Sequence, residues 1–183
     1  MDTERLEKTL QGDEWLGHPL HPALVALPIG AWMFGALMDG IASATRNKCA
    51  QDAADHAAFV GLVGAASAAV AGLAEFMRVP SDEKAQQTAL THATLNVSAV
   101  ALYSMNSLLR YFRRGRGKTG GFIPKMLSLA GVGIIGYSGW LGGSLVYRHG
   151  TAVSVEHGVT LQGKPEEQPA EAQPRMRRTR ASL

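Results

Sequence analysis

The chain has little cysteine, few aromatic residues and, over long stretches, no charge at all. Cys49 is its one cysteine, which excludes an internal disulfide, a Cys-based zinc site and an iron–sulfur cluster. The first 21 residues lack the basic segment of a cleavable signal peptide and carry an excess of acidic side chains instead. Gly-x-Ser-x-Gly, the P-loop and His-Glu-x-x-His are all missing. The sequence therefore points away from an enzyme, and nothing in it resembles a soluble catalytic domain.

The most informative absence is of charge. Residues 22–38, 57–74, 93–109 and 126–147 contain no Asp, Glu, Lys, Arg or His. Each approaches or reaches the ~20 apolar residues that a helix needs to cross ~30 Å of hydrocarbon. The mean hydropathy of −0.01 is neutral only because charged ends dilute this apolar middle. A water-soluble helix would show a polar face at every turn. The alternation of β-branched and aromatic residues that marks membrane strands is missing too.

These observations predict an all-α fold, an integral membrane bundle of four transmembrane helices with short polar tails. Span one covers residues 22–44, span two 54–77, span three 88–112 and span four 124–147. Residues 1–17 read as a polar N-terminal tail, with a short interfacial helix through Leu6, Leu10, Trp15 and Leu16. Residues 18–150 form the transmembrane domain, and 151–183, rich in Pro, Glu, Gln and Arg, a disordered C-terminal tail. Gly64, Ala68 and Gly72 at four-residue spacing, with Gly131, Gly133, Gly136, Gly139, Gly142 and Gly143 in the last span, predict close helix packing. Pro28 frees the carbonyl of Leu24 and predicts a kink in span one.

The connection after span three carries Arg110, Arg113, Arg114, Arg116, Lys118 and Lys125 with no acidic residue. The positive-inside rule puts it in the cytoplasm, together with the loop holding Arg46 and Lys48, which gives an N-out, C-out protein of the bacterial inner membrane. The basic residues at 175–180 lie too far from a span to count. The cluster serves topology and contact with the lipid bilayer; nucleic acid is not an expected partner.

In this topology one or two ionisable side chains from each helix fall at the outer boundary: His18 and His21, Glu75, His92 and His149. Asp39 is excluded from the group, because 18 helical residues put it roughly 27 Å from His21. His56 is on the cytoplasmic side and His157 in the tail. His92 heads a polar stripe continued by Asn96, Tyr103 and Arg110 at offsets near one helical face, so the stripe is expected to face the bundle interior. Imidazole is the commonest transition-metal ligand and the usual axial ligand of b-type haem. His21, His92 and His149 are therefore candidate cofactor ligands, with His18 and Glu75 added for a metal. Plainer roles stand beside these. His18 and His21 can cap span one, Glu75 can pair with Arg78, and His149 can satisfy carbonyls at a helix end. Asp39 is expected to pair with a basic residue such as Arg46 or Lys48, or to cap a helix.

Two motifs carry a resemblance, GHPLHPALVALPIG at residues 17–30 and GWLGGSLVYRHG at 139–150. Together they resemble the bacterial membrane proteins of the domain-of-unknown-function 2231 family, over about residues 15–150. Asp39, Glu75 and His92 fall where that family also has polar residues. The resemblance implies a four-span membrane protein found near redox proteins, with no reaction attached. The leading expectation is a membrane module binding haem b or a transition metal for electron transfer, with redox proteins as partners. A structural or assembly subunit comes next. A small transporter ranks last, because span four has no ionisable group between Lys125 and Arg148.

Overall fold

The computed structural model describes residues 3–118 and 120–151. The tail from residue 152 onward, with His157 and the basic residues at 175–180, lies outside the described residues. Among the described residues there is no strand. The helices are α1 (Thr3–Gln11), α2 (Asp13–Leu16), α3 (Leu20–Leu24), α4 (Ala26–Thr45), α5 (Lys48–Phe76), α6 (Glu83–Gly115) and α7 (Phe122–Tyr147).

Local chemistry sets the boundaries. Pro28 has no N–H to give the Leu24 carbonyl, and the helix is interrupted at Val25, which separates α3 from α4. The predicted kink is thus a break, one turn before the proline. Arg46, with φ of 57°, closes α4 in the left-handed conformation. The Asn47 side chain then accepts from the Ala50 N–H at 3.1 Å to open α5. Asp82 opens α6 in the same way, from the Ala85 N–H at 3.0 Å. The predicted spans two and three start too late, because these caps lie in polar sequence outside the uncharged windows. The predicted interfacial helix of the tail is two short helices, α1 and α2, with α1 packed on α5.

The four long helices pack in a closed ring, α4 on α5, α5 on α6, α6 on α7 and α7 on α4. On the α5–α7 diagonal, α5 presents small side chains, burying Ala54, Ala58, Gly61, Ala65, Ala68 and Ala71. α4 and α6, on the other diagonal, meet through large ones. Trp32 and Tyr103 lie flat on each other, centroids 4.0 Å apart and planes 2° apart. They are 3% and 1% exposed. A Cβ on Gly61 would clash with the Trp32 ring, and one on Gly131 with the Tyr103 ring. Here the missing side chain lets the aromatic lie against the helix. Gly133, Gly136 and Gly139 have nothing near their Cβ positions. Of the glycines expected to pack in the last span, only Gly131 and Gly142 lie under a neighbouring side chain.

The outside of the bundle is apolar, with Met33, Leu37, Phe59, Val63, Leu73 and Val97 among its exposed residues. Three helical segments are long and apolar enough to cross a membrane: Leu20–Thr45, Lys48–Phe76 and Phe122–Tyr147. α6 is longer than any of them but more polar, and does not qualify on composition.

Candidate functional site

The imidazole of His21 projects from α3 onto α5. Its Nδ1 lies 2.8 Å from the Ala68 carbonyl oxygen. A carbonyl only accepts, so Nδ1 carries the proton and Nε2 keeps its lone pair. The ring rests on Gly72, where a Cβ would come within 2.8 Å of it. His92 repeats the arrangement on the other side. It projects from α6 onto α7, its Nδ1 donates to the Ser138 carbonyl at 2.8 Å, and its ring lies over Gly142.

The two rings meet edge to face, centroids 6.4 Å apart and planes at 87°. His92 is also locked by its neighbours. The Asn96 amide donates to His92 Nε2 at 3.0 Å, and the Ser138 hydroxyl donates to Asn96 Oδ1 at 2.9 Å. These bonds and the one from Nδ1 to Ser138 close a circuit between α6 and α7.

The other expected members of the outer group stand apart from this pair. His18 is exposed. Glu75 is buried and bonded to Arg78 at 3.4 Å, the i,i+3 pairing weighed in the sequence. His149 Nδ1 lies 3.9 Å from Asp82 Oδ2 at the mouth of the α6–α7 groove. Among the described residues no three His, Cys, Asp or Glu side chains converge as metal ligands would. The structure therefore brings two of the five candidates, His21 and His92, into contact.

A second polar cluster lies at the opposite end of the bundle, and the sequence reading found only part of it. Arg110 is not a loop residue. It projects inward from α6 with its side chain 2% exposed. Its guanidinium binds Asp39 through both terminal nitrogens and Asp55 at 2.6 Å. Its Nε donates to Asn106, and Nη2 donates to the Ser128 hydroxyl at 3.0 Å. Gln51 donates to both carboxylates, at 3.0 and 3.2 Å. The partner of Asp39 is thus Arg110, not Arg46 or Lys48. A buried carboxylate needs a cation inside the bundle, and those two are exposed at the helix ends.

The stripe His92, Asn96, Tyr103 and Arg110 does face inward, as its spacing predicted. Asn106 belongs to it at a helical offset that could have been read. Asp55, Gln51 and Ser128 gave one usable signal: a buried arginine demands more than one acceptor.

A family model described as "Predicted membrane protein (DUF2231)" matches residues 17–155. The chain belongs to the DUF2231 family. The match runs from the glycine before His18 through all four long helices of this DUF2231 protein, so both polar clusters lie inside it. It bears out the expected family and supports a membrane protein. No curated protein and no solved structure matches the chain.

Proposed function

We propose that this protein is a four-span membrane module, with no substrate chemistry of its own, that holds one haem iron or transition-metal ion between His21 and His92 and carries electrons through it. The observation that supports this is the tautomer imposed on the two facing rings. Each Nδ1–H is held by a backbone carbonyl, the arrangement that orients ligating histidines and raises their basicity. With metal–nitrogen bonds of about 2.0 Å, His21 and His92 would be the two side chains to hold one ion between them. Their centroids lie 6.4 Å apart. Asn96, whose amide donates to His92 Nε2, would have to release that nitrogen for it to serve as a ligand. The partners would be redox proteins at the outer face.

The test is the absorption spectrum and metal content of the detergent-purified protein. We expect a Soret band or one metal per chain, lost in His21→Ala and in His92→Ala and kept in His18→Ala and His149→Ala. Wild-type protein with neither signal would end this reading. One observation favours a second reading, a structural or assembly subunit: the closed circuit through His92, Asn96 and Ser138 ties α6 to α7 unaided. That reading expects His92→Ala to lower thermal stability in a protein that never yields a cofactor.

The fourth span in this proposal is α6. Four of its hydroxyls are spent within the helix. Thr88, Thr91, Thr94 and Ser98 each donate to the carbonyl four residues back, at 2.8 Å. Hydroxyls so bonded are tolerated against lipid, where an unsatisfied polar group costs several kcal/mol. Lys84 and Arg116 sit at its two ends, where long cations reach the headgroups. The basic loop and the α4–α5 connection then lie in the cytoplasm of a bacterial cell, with both termini outside. Cys49 is exposed beside that connection and reports the side directly. A membrane-impermeant maleimide should label it in inverted vesicles and leave it unlabelled in spheroplasts; the opposite pattern would reverse the orientation.

A further inference from the structure

The two halves of the bundle repeat each other. His21 and His92 are 71 positions apart, as are Trp32 and Tyr103, and Asp39 and Arg110. Each pair meets across the bundle: the imidazoles edge to face, the aromatics stacked, the last pair as an ion pair. The helices that receive these side chains repeat as well, at a spacing of 70. His21 lies on Gly72 and His92 on Gly142; Trp32 lies on Gly61 and Tyr103 on Gly131.

The hydrogen bonds correspond atom for atom. His21 bonds the Ala68 carbonyl and His92 that of Ser138, each four residues before its glycine. Trp32 donates to the Ala58 carbonyl at 3.2 Å and Tyr103 to that of Ser128 at 3.1 Å, each three residues before its glycine. Buried positions follow the same register, with Ala65 matched by Ile135 and Ala71 by Leu141.

We infer that the bundle is an internal duplication, two copies of one helical hairpin spanning residues 20–78 and 91–148, folded about a pseudo-twofold axis that runs along the bundle between His21 and His92. Both imidazoles lie at the same end, so the hairpins enter from the same side and the axis is parallel to the helices. α6 is then the counterpart of α4. Its polar composition is a departure within a shared plan. The pairs across the axis are one position seen twice, and the halves have diverged around them. Asp39 and Arg110 became opposite charges at one site. Asn96 and Ser138, which lock His92, correspond to Val25 and Ala68, which leave His21 with the single bond from Nδ1.

The last contrast bears on the proposed ligand, and only this clause rests on that reading: His21 Nε2 is the nitrogen to which no described residue donates, so it would be the more available ligand of the two. The duplication itself needs no ligand.

The test moves the circuit from one half to the other in full-length, metal-free protein in detergent. N96V/S138A should lower the melting temperature by several degrees, because it removes the amide and hydroxyl bonds around His92 and leaves only the one from Nδ1 to the backbone carbonyl. Adding V25N/A68S to that variant should recover most of the loss, since the new amide and hydroxyl find the same partners around His21. Alone in the wild-type background, V25N/A68S should leave the melting temperature at or above its original value. A several-degree loss from V25N/A68S in the wild-type background, or no recovery in the combined variant, would overturn the equivalence. Neither readout depends on a cofactor, so a failed spectrum and a failed duplication are told apart.

Discussion

Replacing Arg110 with methionine is expected to lower the stability of the bundle by about 3–5 kcal/mol, the cost of leaving buried charge without its partner. The side chain is 2% exposed, and it neutralises Asp39 and Asp55 at once. Methionine fills much of the volume and supplies no charge, so the loss reports the electrostatics. Gln51 remains to solvate the carboxylates and is neutral, which makes its compensation partial. The triple variant R110M/D39N/D55N removes the stranded charges together, and most of the loss should return. Thermal unfolding in detergent reads both. A triple variant as unstable as R110M would mean that the arginine acts through shape rather than charge.

Trp32→Ala is the second large effect. Opening a cavity of this size in a water-soluble core costs about 3–5 kcal/mol. In a bilayer the transfer part of that cost largely disappears, since lipid is as apolar as the protein interior. The packing part stays, and about 2 kcal/mol is expected. Trp32 rests on Gly61 and stacks on Tyr103, so its removal leaves a gap that two helices line. Filling it from the far side with Gly61→Leu should return part of the loss in the Trp32→Ala background, while Gly61→Leu alone should destabilise by overpacking. A Trp32→Ala protein that unfolds at the wild-type temperature would show that the stack contributes nothing.

The apolar windows were legible because a helix crossing lipid has no polar side to spare. The breaks between helices were legible where a proline or a charge marked them, as at Pro28. Asn47 and Asp82 were read only as polar linker, although each caps a long helix. The helical offsets of His92, Asn96, Tyr103 and Arg110 put the stripe on one face, and the fold agrees. The same reasoning stopped at the partner helix. A stripe says which way its residues face and nothing about what they meet, so Asp55, Gln51 and Ser128 were missed. Arg110 was read twice, as interior stripe and as loop cation, and burial decides for the first. His18, Glu75 and His149 were grouped with His21 and His92 by depth alone. Depth fixes one coordinate of three, and position about each helix axis decides which of the side chains at one depth meet. The duplication escaped notice because the repeat lies in contacts: histidine or aromatic against glycine is a faint signal until the helices are seen packed.

The flat pair of rings at the centre has an electrical consequence. In a bilayer, the voltage across a protein falls most steeply where neither water nor mobile charge can follow the field. Trp32 and Tyr103, pressed together with their polar atoms spent on carbonyls, form such a septum. The two imidazoles lie on one side of it and the guanidinium cluster on the other, so a change of charge at either end would be felt mainly from its own side.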